Sequence, residues 1–174
     1  LQMINHGLVT GALFLAIGMI YERTHSREIA VYGGLASTKP VFAGFFLLFT
    51  LAAVGLPGTN GFVGEFLILL GGFERQPWLA VVASSGLILG AWYMLWLYQR
   101  IFFNEVKESM QGLAQLNLRE ILTLAPMVVL IVWIGLYPNG LLSFLHVSVG
   151  HLLDQVHGVG LAGQAVIPSL TVHR

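Results

Sequence analysis

Glu65 is the only formally charged residue between Pro40 and Phe73. A carboxylate near the centre of a bilayer costs roughly 3 kcal/mol or more, so such groups usually line a protein interior or a water path. Gly61 and Gly64 beside it are small, which leaves room for water or for another helix. Thr59 or Asn60 can cap a helix starting there, which puts Glu65 about two turns from its positive end. Burial and the helix end pull on its proton in opposite senses, and a group held between them can bind and release one. The plainer alternative is a structural carboxylate, paired with a buried Lys or Arg or reaching to an interface.

A second constellation lies upstream. Gln2, His6 and Thr10 fall at i, i+4 and i+8, with Asn5 one step to the side. On a helix they make a polar stripe across an otherwise apolar surface. An imidazole titrates near neutrality unless strongly desolvated, so His6 is a natural proton relay. The competing reading is a core histidine that joins helices by hydrogen bonds. Further on, His151, Asp154 and His157 are spaced by three and lack the i, i+4 His pair of known zinc motifs, so no metal site is read there. The chain has no cysteine, hence no Cys-ligated cluster and no thiol nucleophile. It also lacks a G-x-G-x-x-G fingerprint, a P-loop and a G-x-S-x-G elbow.

The elements that must position these residues are apolar helices. Charged residues are 9% of the 174, against about 25% in soluble domains, and mean hydropathy is +0.81. Formal net charge is zero, so no nucleic-acid partner is expected. Charges are absent from 1–21, 40–64, 76–99 and 121–153. Each gap can hold a span of about 20 residues, and in lipid such long, unalternating runs must be helices. The expected fold class is an all-α, polytopic transmembrane bundle with spans near 4–21, 40–72, 78–102 and 120–138.

The second span is too long for one straight crossing. Its 33 residues would measure about 50 Å as one helix against a core of about 30 Å. Gly55-Leu56-Pro57-Gly58-Thr59-Asn60-Gly61 interrupts it, which places a break at 56–60 with Leu56, Pro57, Gly58 and Gly61 as its hinge. One broken crossing puts Arg23, Arg27, Lys39, Arg100, Lys107 and Arg119 on one side and Arg75 and Arg174 on the other. Two crossings give four against four. The positive-inside rule therefore favours one broken helix, with the 22–39 and 100–119 loops cytoplasmic. Residues 1–138 form the transmembrane part. Residues 139–157 read as an amphipathic helix for a membrane surface or a neighbouring subunit, and 158–174 as a loose tail. Because Leu1 opens inside membrane-helix sequence, a C-terminal piece of a longer protein is expected.

Three stretches carry a family resemblance. Gln2 to Leu35 (QMINHGLVTGALFLAIGMIYERTHSREIAVYGGL), Ala53 to Gly71 (AVGLPGTNGFVGEFLILLG) and Leu116 to Pro138 (LNLREILTLAPMVVLIVWIGLYP) resemble the antiporter-like subunits M, or chains 4, of respiratory complex I. The resemblance implies a proton-translocating membrane-arm subunit of NADH:quinone oxidoreductase. Glu65 would serve the exit half of the proton path, and His6 the central hydrophilic axis. It implies no cofactor on this chain; NADH, FMN, iron–sulfur clusters and quinone belong to other subunits. Expected partners are the other membrane-arm subunits, including paralogous antiporter-like ones, and the lipid bilayer. Expected locations are the bacterial inner membrane or, alternatively, the mitochondrial inner membrane. Competing readings are a subunit of a multi-subunit sodium/proton antiporter or membrane-bound hydrogenase, and a non-transporting scaffold.

Overall fold

A computed structural model describes the backbone of residues 1–165 and the side chains of 1–156. The order is α1 (Gln2–Thr24), α2 (Leu35–Thr38), α3 (Pro40–Ala53), α4 (Asn60–Arg75), α5 (Pro77–Phe102), α6 (Leu118–Leu136) and α7 (Asn139–Ala165), with no strand among the described residues. Helices α1, α5 and α6 are each long and apolar enough to cross a membrane. Local signals place their ends. Pro40 and Pro77 occupy first-turn positions, where the missing N–H costs nothing. Before α6, Asn117 Oδ1 accepts from the Glu120 N–H at 2.9 Å and Glu120 Oε2 accepts from the Asn117 N–H at 2.7 Å, a reciprocal capping box.

Helices α3 and α4 lie end to end. Along α1, Ala16 packs with Phe42 and Phe46, and Val9 and Ala12 pack with Phe49 and Ala52. Farther up, Asn5 bonds Asn60, and Gln2 lies against Gly64. The contacts descend α1 as they climb from α3 into α4 without reversing. Helix α5 repeats the order antiparallel: the Phe102 ring lies tilted 5.7 Å from Phe42, the Tyr98 hydroxyl donates to the Ala43 carbonyl, and Ala80 and Ser84 line one surface pocket with Phe73 and Phe66. At 1.5 Å per residue, the 26 residues of α5 measure about 39 Å, enough to flank both half-helices. This is the geometry of one interrupted crossing. The interruption covers 54–59, slightly earlier than hydropathy and proline suggest. Gly55 (φ 73°) ends α3 in the left-handed region, which stops the helix before Pro57 is reached.

The loops at 25–39 and 103–117 are knitted together at one end. The Gly34 N–H donates to the Phe103 carbonyl at 2.8 Å, Ser109 Oγ to Val31, and Gln115 Nε2 to Thr38. Beneath them the Arg23 guanidinium donates to both Glu120 oxygens, at 2.8 and 2.7 Å, and to the carbonyls of Met19, Ala114 and Gln115. Arg23, counted from the sequence only as a cation of the positive side, is thus tied into the fold by distant partners. The 103–117 loop folds under α1 and supplies partners that sequence adjacency cannot show. Taken by itself, α7 runs past residue 157 to Ala165, so part of the segment expected as loose tail is helical, and 166–174 lie outside the described residues.

Candidate functional site

The break leaves a polar cavity of about 230 Å3 between α1, α4 and α5. Glu65, His6, Thr10 and Gln2, the four residues singled out by charge isolation and stripe spacing, all line it. Glu65 is half-buried on α4, and its carboxyl lies so close to Gly55 that a Cβ there would sit 2.5 Å from Oε2. Gly55 is needed for its backbone angle, and a side chain there would displace the Glu65 carboxyl. His6 is exposed, and both ring nitrogens lie 3.4 Å from Thr10 Oγ1, the contact that i, i+4 spacing produces. Gln2 Oε1 is buried without a protein donor. A cavity of this volume has room for several waters beside the stripe.

The hinge residues fall where the chain turns. Leu56, Pro57 and Gly58 lie between the half-helices, whereas Gly61 belongs to the first turn of α4. There a Cβ on Gly61 would fall 2.0 Å from the Ala52 carbonyl oxygen, so the two half-helices meet backbone to backbone. Gly135 of α6 presses against Gly58 in the same way.

The expected cap is corrected. Thr59 holds the N-cap position of α4, but its hydroxyl donates to the Leu56 carbonyl at 2.7 Å, and no side chain caps the helix. Asn60 is committed across the interface instead: Asn5 Nδ2 donates to its carbonyl at 2.7 Å. Sequence spacing left Asn5 beside the stripe, although an amide on an apolar helix is itself a sign of interhelical bonding. Tyr93 and Met94, which neither charge isolation nor stripe spacing singles out, wall the cavity on the α5 side. Nothing in the local sequence of α5 marks them. Among the described residues Glu65 has no ion pair; the salt bridge found is Arg23–Glu120.

A half-buried carboxyl, a cavity with room for water and an accessible imidazole are parts from which a proton can be passed by hydrogen-bonded steps. Comparison with known proteins meets this arrangement from another direction. The profile of the NADH:quinone oxidoreductase/Mrp antiporter transmembrane family matches residues 1–90, just over half of the chain. The chain belongs to this family. Among curated members, it is 49% identical over 166 residues to NADH-quinone oxidoreductase subunit M of Rhodobacter capsulatus, covering 94% of this chain and 32% of that protein. It is 47% identical to NADH-ubiquinone oxidoreductase chain 4 of Marchantia polymorpha, covering 91% and 32%. The chain thus spans about a third of the length of the curated relatives it matches.

Solved structures agree. Respiratory complex I from Thermus thermophilus with bound NADH contains a chain that superposes with a TM-score of 0.71 at 41% identity, over 77% of this chain and 28% of that one. An archaeal membrane-bound sulfane sulfur reductase gives 0.73 at 26% identity, over 78% and 23%. The chain is a helix bundle with three helices long and apolar enough to cross a membrane.

Proposed function

We propose that this chain is part of the proton-conducting membrane arm of an NADH:quinone oxidoreductase. The observation that carries the reading is that Glu65, His6, Thr10 and Gln2, drawn from two separate helices, line one cavity at the break of a crossing. Glu65 accepts a proton from the side of His6 through water held along the Gln2–His6–Thr10 stripe. It releases that proton toward the far end of α4 when the half-helix or its hydration changes. Such a change must favour one protonation state over the other, since an event with no differential effect drives nothing. Redox chemistry belongs to other subunits, which would carry the NADH site, FMN, the iron–sulfur clusters and the quinone site. The remaining membrane-arm subunits and lipid are the partners, and the membrane is that of a bacterial cell or a mitochondrion. The 22–39 and 100–119 segments, which carry six of the eight Lys and Arg residues, face the cytoplasm or matrix by the positive-inside rule.

The identity to subunit M and chain 4 proteins supports the oxidoreductase over a sodium/proton antiporter or hydrogenase. The test is Glu65→Gln in the intact complex, with NADH oxidation and proton uptake recorded in inverted membrane vesicles. Both rates are expected to collapse together while assembly is retained. Parental values of both would overturn the proposal.

A further inference from the structure

The contact that ties the break to α1 lies outside the stripe of Gln2, His6 and Thr10. Asn5 and Asn60 are 1% and 0% exposed. Asn5 Nδ2 donates to the Asn60 carbonyl at 2.7 Å, and Asn60 Nδ2 lies 3.3 Å from Asn5 Oδ1 and 3.4 Å from the Asn5 carbonyl. These are the only hydrogen bonds between α1 and α4 among the described residues. Helix α4 has no side-chain cap, and its first turns meet Ala52 and Gln2 through Gly61 and Gly64, which carry no side chain to fix a rotation. Among the described residues the amide pair is therefore the one hydrogen-bonded contact that bears on how α4 is turned about its axis, added to its packing on α5 and α6.

That angle matters to Glu65, five residues farther along. Side chains end about 5 Å from a helix axis, so a turn of about 20° carries a carboxyl about 2 Å. This distance separates a hydrogen bond from none. Resting on the reading of Glu65 as a proton carrier, we propose that the Asn5–Asn60 amide pair is a positioning device that holds α4 with the Glu65 carboxyl in the cavity it shares with His6. His6 from α1 and Tyr93 from α5 are the other titratable groups facing that cavity; α3 contributes only Ala52 and Ala53, and α6 contributes none.

The experiment compares Asn5→Ala, Asn60→Ala and the double variant in the intact complex in native membranes. Assembly is followed by native electrophoresis, together with the coupled NADH oxidation rate and its pH profile. Each single variant is expected to assemble, to lose about fivefold or more in rate, and to move the midpoint of the pH profile by about half a unit. The double variant should be no worse than the singles, because the two amides act as one unit. Should Asn5→Ala fail to assemble, Asn5→Ser, whose hydroxyl falls short of Asn60, is read in the same way. Assembled variants with the parental rate and pH midpoint would overturn the proposal, as would losses that multiply in the double variant. If Glu65→Gln is inactive while the asparagine variants are parental, the positioning role alone fails. If Glu65→Gln is itself silent, the proton-carrier reading fails with it.

Discussion

Replacing Gly61 by alanine tests the claim that the two half-helices meet backbone to backbone at the site. A Cβ at Gly61 would lie 2.0 Å from the Ala52 carbonyl oxygen and 3.2 Å from its carbon, where ordinary contact begins near 3.4 Å. The shortfall is about 1.4 Å, and neither partner has a rotatable bond that relieves it. The first turn of α4 must therefore withdraw from the end of α3. Overpacking of this kind costs about 1–3 kcal/mol. Glu65 stands one turn farther along the same face, so it travels with the displaced turn. A misplacement of about 1 Å at a reacting group can cost on the order of 100-fold in rate.

The expected result in inverted vesicles is an assembled complex of lowered thermal stability, with coupled NADH oxidation and proton uptake reduced together by one to two orders of magnitude, as follows from that geometry. Gly44→Ala on α3 is the control. Nothing lies within 4 Å of its added Cβ, and alanine favours a helix over glycine by up to about 1 kcal/mol, so activity and stability should hold or improve. Parental activity and stability in Gly61→Ala would show that the break does not rest on this close approach.

The Arg23–Glu120 bridge should behave as a partly buried pair, since its side chains are only 15% and 11% exposed. In a thermal-stability cycle of Arg23→Ala, Glu120→Ala and the double variant, a coupling of about 2 kcal/mol is expected; additivity within about 0.5 kcal/mol would refute it. Arg23→Lys should not restore it, because an ammonium cannot span both oxygens of Glu120 and three carbonyls at once. Asn117→Ala should cost about 1 kcal/mol by removing the cap of α6 while leaving the pH profile of coupled turnover unchanged.

Much of the fold is legible in one dimension because hydropathy is a property of each segment alone. The charge-free runs mark the apolar helices, and Gly55 to Gly61 announces a break that no continuous helix tolerates. The isolation of Glu65 and the i, i+4, i+8 spacing of Gln2, His6 and Thr10 single out groups that a bilayer would not otherwise accept. Even the placement of six cations on two loops follows from counting, and those loops do meet at one end of the structure.

What spacing cannot supply is which faces meet, since that depends on pairs of segments far apart in the chain. Asn5 and Asn60 are 55 residues apart, and Arg23 and Glu120 are 97 apart. Asn60 reads locally as a cap and Arg23 as one cation of the positive side; both are claimed by partners that become neighbours only when helices pack. Tyr93 joins the cavity wall because α5 lies antiparallel to the broken crossing, a register written in no local pattern. The sequence by itself determined the helices, their interruption and the polar groups they carry, because lipid enforces those choices residue by residue. Only the tertiary structure decided that Glu65 and the stripe on α1 share one cavity, because that follows from the close approach of Gly61 to Ala52 across the break and of Gly64 to Gln2 and Asn5 on α1.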